Sequence, residues 1–442
     1  MATRVRSYSK INLGLAIGPV RADGFHGLAT LYQTLALHDV VTVEVNPTSG
    51  EMPPDMGRPE GVGHPARDGV QARNYGDSGL DETESRMTPS VGRGATRITL
   101  TTNHPGVPTD GRNTAWKIVE LALARMGVEA DVKIHIEKEL PVQGGMGAGS
   151  ANAAAALIGL ERELGFSLSE LARMEVAAEV GSDVPLFLLG GAVLGTERGE
   201  RVREMPDLPR TWCVVAVPEV GVSTPRAFQD WDERQGTARR EQGTGAGPEL
   251  KPAATPEGPS GLTSSAEPDR LEKLSHVYAT VLGVNPSAEL ASDTSGIVRS
   301  CQDSFNSETK QGGLEEHGFT SEQGGVLNGL AGNTLLALVR TGIENDFEIV
   351  VFPQYPLLRE IKRILMGTSA GGSAEFAEAR PDGLSGTALY AALSGSGSAL
   401  FGLYGSEADA RAAQQRVQNF GCKALLTWTL PRAEYWSMMF AE

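Results

Sequence analysis

The residues best equipped for chemistry lie between Pro141 and Ala156, in the stretch PVQGGMGAGSANAAAA. Glycines at 144, 145, 147 and 149 free the backbone to curl with its N–H groups turned inward, and a helix start behind them adds partial positive charge. Such a loop is an anion cradle. The phosphate chain of a nucleotide is its natural occupant, because backbone donors approach closely only where side chains are missing. A bare glycine pattern is equally compatible with a flexible turn. The loop lacks the Gly-Lys-Ser/Thr ending of a Walker A loop and the GxGxxG spacing, which disfavours those two nucleotide folds. Lys10 in SYSKINL and Asp183 in GSDVP are an amine and an acid far apart in the chain. Each alone has a plainer reading, Asp183 as a capping residue and Lys10 as a strand-edge lysine. His26, in the turn DGFHG, could aim an imidazole and the Phe25 ring at a planar base, or simply be exposed.

Composition narrows the classes. The 442 residues hold 39 Lys+Arg against 55 Asp+Glu, a formal charge of −16, which argues against a nucleic-acid or anionic-membrane binder. Three cysteines, at 213, 301 and 422, are too far apart for a disulfide framework or a CxxC metal knuckle, and a reducing setting is expected. The histidines at 26, 38, 64, 104, 135, 276 and 317 form no HxxxH or HxH spacing, so a protein zinc site is not expected. The opening residues lack the apolar run of a signal peptide, and the longest apolar stretch, Val184 to Leu194, is too short to span a bilayer. A soluble, cytoplasmic chain is expected, as a monomer or homodimer.

The elements that must position these residues follow from periodicity. Val5 to Val45 reads as strands, ending in the clean alternation of DVVTVEV. A strand is expected at Thr96 to Thr102, a helix from Asn113 to a stop at Gly127, then the strand DVKIHIEKEL and a helix running from the glycine loop through LIGLERELG. SLSELARMEVAAEVG reads as a helix and Thr211 to Pro218 as a buried strand. Helices are also expected at DRLEKLSHVYATVLG, NTLLALVRTG and YPLLREIKRILMG, before the strand SALFGLYG. The 54 glycines and 25 prolines exceed ordinary usage of about 12%. They concentrate in three expected disordered insertions, about 46–95, 232–325 and 368–386, which lack the apolar periodicity to offset their ordering entropy.

Pro-x-x-Gly-Gly-x-Gly-x-Gly-Ser-x-Asn-Ala-Ala resembles the phosphate loop of the GHMP kinase superfamily, small-molecule kinases of galactose, homoserine, mevalonate and their relatives. The N-terminal pattern, with Lys10, Ile11, Asn12, Leu13, Arg21, Asp23, Gly24, Phe25 and His26, resembles the cytidine-recognising branch, the 4-diphosphocytidyl-2-C-methyl-D-erythritol kinases. GSDVPLFLLGGAVLGTERGE, VGVSTPRAF, NDFE at 345–348 and SGSGSALFG at 394–402 match further segments in the same order. Departures are Gln143, Met146, Ala148 and Ala151, where relatives usually carry Gly, Leu, Gly and Ser; Ala148 would slightly restrict how the loop curls.

The resemblance implies an α+β GHMP kinase fold of two domains, an N-terminal ribosomal-S5-like domain over 1–205 and a C-terminal ferredoxin-like domain over 206–442. It implies ATP-dependent phosphorylation of the 2-hydroxyl of 4-diphosphocytidyl-2-C-methyl-D-erythritol, a step of non-mevalonate isoprenoid synthesis, with Mg²⁺ arriving on ATP. The alternatives are another small alcohol such as homoserine or mevalonate, and a nucleotide-binding module without turnover. By resemblance Asp183 accepts the proton and Lys10 stabilises developing charge. Pro141, Val142, Gln143, Gly144, Gly145, Met146, Gly147, Ala148, Gly149, Ser150 and Ala151 line ATP together with Asn113, and Ser150 is the one protein group suggested for the metal. On the acceptor side Asn12 orients the hydroxyl, Phe25 and Phe228 sandwich the cytosine, His26 reads its edge and Thr224 lines the site. Lys117 reads as a surface lysine, and Ser394 to Ser398 as a second glycine-rich turn closing the cleft.

Overall fold

The computed structural model describes residues 2–48, 96–243, 344–367 and 386–442, apart from Ala22 and Gln143. The helices expected at 269–283 and 333–342, and most of the three expected insertions, lie outside those residues.

Two long strands, β1 (Thr3–Val20) and β2 (His26–Pro47), form the spine of the first sheet as an antiparallel pair. β3 (Arg97–Thr102) lies parallel to β4 (Ala130–Glu137), and β4 runs antiparallel to the far half of β2. β5 (Ala192–Glu197) takes over the near half of β2 and carries β6 (Arg201–Glu204) on its other side. Splitting β2 between two neighbours bends the sheet, and the register of β1 against β2 shifts at Tyr8/Lys10 and Asn12/Gly14.

Three helices cover one face: α1 (Thr114–Met126), α2 (Ala148–Leu164) and α3 (Glu170–Val180). Each starts and stops for a local reason. The Asn113 side chain accepts from the Ala115 N–H and caps α1, while Gly127 ends it in the left-handed conformation at φ 67°. Ser169 caps α3 through the Ala172 N–H. The alanine-rich α2 sits close against the sheet at Gly159, where an added Cβ would stand 2.7 Å from a Val43 methyl.

The second sheet is antiparallel: β7 (Trp212–Val217), β8 (Tyr390–Leu393), β9 (Leu400–Tyr404) and β10 (Lys423–Trp428) lie in the order β10-β7-β9-β8. In its own strand numbering that order is 4-1-3-2, the arrangement of a ferredoxin-like sheet. Helices α4 (Thr224–Gly243), α5 (Glu348–Gln354) and α6 (Pro356–Met366) fall between β7 and β8, and α7 (Glu407–Asn419) between β9 and β10. α6 buries Leu358, Ile361 and Leu365 against this sheet, a spacing that sets one stripe of the helix inward.

Two outcomes differ from the sequence expectation. The helix α4 continues twelve residues into the segment expected to be unstructured from 232, because its Arg226–Asp230 pair and the buried Ala227 and Trp231 give it one supported face. The chain also returns to the first sheet at its end. Helix α8 (Arg432–Ser437) buries Tyr435 among the first core, and β11 (Phe440–Ala441) pairs with β1, although both lie beyond the expected 205/206 division. A cluster containing Ile11, Leu13, Met146, Ala148, Val215, Phe401 and Leu403 joins the inner faces of the two sheets.

Candidate functional site

Strand register assembles the first half of the site. Lys10 and Asn12, two apart on β1, share one face, and Asn12 lies directly opposite Tyr32 of β2. Lys10 is almost wholly buried at 3% exposure, and its Nζ donates to Asn12 Oδ1 at 2.6 Å. Asn12 Nδ2 in turn donates to Thr30 Oγ1 at 2.8 Å, and that hydroxyl donates to the Gly14 carbonyl. Both ends of the Asn12 amide are therefore engaged inside the protein. Its visible work is to aim the lysine, and each end of the amide keeps one further hydrogen-bonding site.

The second half arrives from the segment that follows α3. Asp183 lies two residues before a buried 3₁₀ turn, Pro185–Leu188, and does not cap it; the capping position is Val184, with no side-chain bond. The carboxylate instead turns toward the strands. Lys10 Nζ stands 3.3 Å from Asp183 Oδ2, and the Tyr32 hydroxyl donates to Oδ1 at 3.0 Å. Asp183 remains about one-third exposed, so one side of the carboxylate is open. Tyr32, fully buried, has its pKa raised well above the ordinary value, by burial first and then by the charge of Asp183.

The glycine loop closes over this pair. The Lys10 N–H donates to the Met146 carbonyl at 3.1 Å, and an added Cβ on Gly147 would stand 2.9 Å from Phe187 and 3.1 Å from Lys10 Cγ. Gly147, at φ 69°, begins α2 without any side-chain capping bond. The first-turn N–H groups of a helix have no intrahelical partner, so this start presents donors and the positive end of the helix dipole beside Lys10. Ala148 is simply the first helical residue and carries no positive φ, so the alanine does not restrict the curl of the loop. Met146 and Ala151 point into the core, Pro141 and Ser150 are half-buried, Val142 and Gly149 are exposed, and Gln143 lies outside the described residues. Thr114 Oγ1 donates to the Gly149 carbonyl at 2.7 Å, which brings the start of α1, and Asn113 with it, to the start of α2. Asn113 caps α1 through its Oδ1 and donates from Nδ2 to the Pro108 carbonyl, and Lys117 is exposed.

The Ser394–Ser398 turn is sewn directly to this loop. The Ser394 hydroxyl donates to the Gly145 carbonyl at 3.0 Å, and the Ala399 N–H to the Gly144 carbonyl at 3.1 Å. Asn345 holds the turn from behind through the Leu393 and Gly395 carbonyls, and Thr224 Oγ1 meets Ser396 Oγ at 2.6 Å. The aromatic residues are arranged otherwise than a ready base sandwich. His26 stacks on Phe228 with ring centroids 5.1 Å apart and planes 8° from parallel, and its Nε2 faces Asp232. Phe228 therefore offers that face to His26. Phe25 is 55% exposed, with the Arg198 guanidinium 5.2 Å over its ring.

Sequence reasoning assigned no role to Tyr32, Asn345 or Asp232. The signal for Tyr32 was available: alternation along β2 puts it with Thr30 and Thr34 opposite Lys10 and Asn12, a run of polar groups on a buried face.

Comparison with known proteins relates the chain to kinases by sequence and by fold. A family model described as the GHMP kinases N terminal domain matches residues 113–191, from the α1 cap past Asp183. The chain is 36% identical over 228 residues to the 4-diphosphocytidyl-2-C-methyl-D-erythritol kinase of Nocardioides sp., covering 52% of this chain and 62% of that protein. It is 37% identical over 243 residues to the protein of the same name from Corynebacterium efficiens, covering 53% and 63%. With that of Corynebacterium jeikeium it shares 32% over 281 residues, covering 61% and 70%. The chain thus spans less than two thirds of the length of the Nocardioides and C. efficiens relatives. A crystal structure of 4-(cytidine 5'-diphospho)-2C-methyl-D-erythritol kinase superposes with TM-score 0.50 at 21% identity, covering 96% of this chain and 99% of that one. A homoserine kinase from Cytophaga hutchinsonii gives TM-score 0.50 at 16% identity, covering 97% and 95%; both show a shared fold.

Proposed function

We propose that the chain, which belongs to the 4-diphosphocytidyl-2-C-methyl-D-erythritol kinase family, transfers the γ-phosphoryl group of ATP to the 2-hydroxyl of 4-diphosphocytidyl-2-C-methyl-D-erythritol. One observation carries the reading: a buried lysine and a part-exposed carboxylate, 3.3 Å apart, lie directly beneath the uncapped start of a glycine-led helix. Phosphoryl transfer requires an acceptor held in line, a place for its proton and charge around the transferred group. Each requirement has a candidate here.

The open side of Asp183 takes the proton as the acceptor oxygen bonds to the γ-phosphorus, and the bond from that phosphorus to the bridging oxygen breaks to release ADP. Lys10, held by Asn12, sets a fixed ammonium beside the reacting groups, and the N–H groups at the start of α2 face the phosphate chain. Mg²⁺ bound with ATP would neutralise phosphate charge. The half-buried Ser150 hydroxyl in the first turn of α2 is a hard oxygen donor suited to it, with phosphates and water supplying the rest. The cytidine end falls to Phe25, His26, Thr224 and Phe228, where the His26–Phe228 stack has to open or shift to admit a base. We further infer a cytoplasmic reaction, an assignment compatible with its dependence on ATP and a nucleotide-linked alcohol.

Incubating the protein with ATP, Mg²⁺ and the acceptor, then identifying the product by mass, tests the proposal. The expected result is one added phosphoryl group and inhibition by cytidine diphosphate. Turnover of homoserine or mevalonate that cytidine diphosphate leaves untouched would replace this acceptor with one of those.

A further inference from the structure

We propose that Tyr32 is a positioning residue for the phosphoryl transfer, its hydroxyl locking the plane of the Asp183 carboxylate so that the open oxygen edge meets the acceptor. The inference rests on the proposed function and goes beyond it by adding a third member to the Lys10–Asp183 pair.

Three observations carry it. First, the hydroxyl donates to Asp183 Oδ1 at 3.0 Å while Lys10 approaches Oδ2 at 3.3 Å, so the two oxygens are held from two different strands. The terminal torsion of an aspartate is broad and roughly two-fold, and two opposed donors fix what the side chain alone leaves loose. Second, Lys10 Nζ lies 5.2 Å from the centroid of the Tyr32 ring, so the same residue borders both charged groups. Third, the β5–β6 hairpin is carved around this tyrosine, at Gly195 within β5 and at Gly199 in the turn. An added Cβ on Gly195 would stand 2.6 Å from Tyr32 Cε2, and one on Gly199 would stand 2.7 Å from its hydroxyl. A phenylalanine would need the first clearance but not the second. Burial and the neighbouring carboxylate keep the hydroxyl protonated, and hence a donor, throughout the working pH range.

Tyr32→Phe removes one oxygen and leaves the ring. With kcat normalised to folded protein, counted by near-ultraviolet circular dichroism, kcat should fall about tenfold while KM for ATP and for the acceptor stays within about twofold, as expected for one hydrogen bond to a charged group that matters in the transition state. In an Asp183→Asn background the same change should add less than about twofold, because the tyrosine acts through the carboxylate. An unchanged kcat, a loss confined to KM, or a full further loss in the Asp183→Asn background would overturn the inference. Absence of product with the wild-type protein would strike the proposed function instead, so the two failures are distinguishable.

Discussion

Replacing Gly145 by alanine is the sharpest available perturbation of the junction between the two glycine-rich turns. Gly145 sits at φ 79°, and a Cβ built there would lie 2.3 Å from the Ser394 carbonyl oxygen, with Ser394 C at 3.3 Å and the Gly397 oxygen at 3.4 Å. All three obstacles are backbone, so no side chain can swing aside. Carbon–oxygen contacts of this kind settle at about 3.3 Å or more, and the turns must therefore part by roughly 1 Å. That separation breaks the bonds from Ser394 Oγ to Gly145 and from Ala399 N to Gly144. Two hydrogen bonds at about 1 kcal/mol each and left-handed strain of about 1–2 kcal/mol give about 3–4 kcal/mol against the docked arrangement. If turnover needs both turns docked over the phosphates, kcat/KM for ATP should fall by roughly two to three orders of magnitude. The assay is ADP release coupled to a dehydrogenase, titrating ATP and acceptor separately. Gly165→Ala is the control, since Gly165 has a similar φ of 75° with nothing within 4 Å of its added Cβ; it should lose about 1 kcal/mol of stability and keep its kinetics. A Gly145→Ala protein whose kcat/KM stays within about threefold of wild type, or falls no further than the control, would refute the reasoning.

Asp183→Asn keeps the shape of the side chain but removes the proposed proton acceptor, so kcat should collapse by at least about 10²-fold with little change in KM, and unaltered turnover would remove Asp183 from the reaction. Asp39 is fully buried, pairs with Lys138 Nζ at 2.5 Å and accepts from the Glu139 and Leu140 N–H groups just ahead of the glycine loop. Asp39→Ala strands that lysine and should cost about 3–5 kcal/mol in chemical denaturation; a loss below about 1 kcal/mol would contradict the buried network. Burial raises the Glu161 carboxyl above the usual range, and Arg173 with the Leu168 N–H offsets only part of the shift. A raised folded value means the contribution of Glu161 is full below the unfolded value and is lost as pH rises through the folded one. Glu161→Gln should therefore flatten the decline in melting temperature above about pH 4.5, and parallel pH profiles for the two proteins would contradict that sign.

Much of the molecule was legible from local pattern, because local physics makes it. Asn113 and Gly127 bound α1 as cap and left-handed stop, alternation marks β4, and the glycine loop precedes α2 where its composition says a helix must begin. Elements whose stability comes from elsewhere were harder to see. Helix α4 is polar along most of its length and reads as a loop until Trp231 and Ala227 find the second sheet. α5 contains Pro353, and β11 is two residues that exist as a strand only because β1 is beside them. The His26–Phe228 stack likewise depends on a meeting between a turn of the first sheet and a helix leaving the second.

Residue types and spacing by themselves determined that the chain carries a glycine-rich loop ahead of a helix, an amine near its start and an acid far along it, because backbone freedom, charge and order along the chain are properties of the polymer. Only the tertiary structure decided that Lys10 and Asp183 stand 3.3 Å apart, that Asn12 serves the lysine, that Tyr32 grips the carboxylate, and that Ser394 bonds the glycine loop. Those pairings span strands of one sheet and the junction of two, and a contact between distant segments is fixed by register and packing, which no local run of residues encodes.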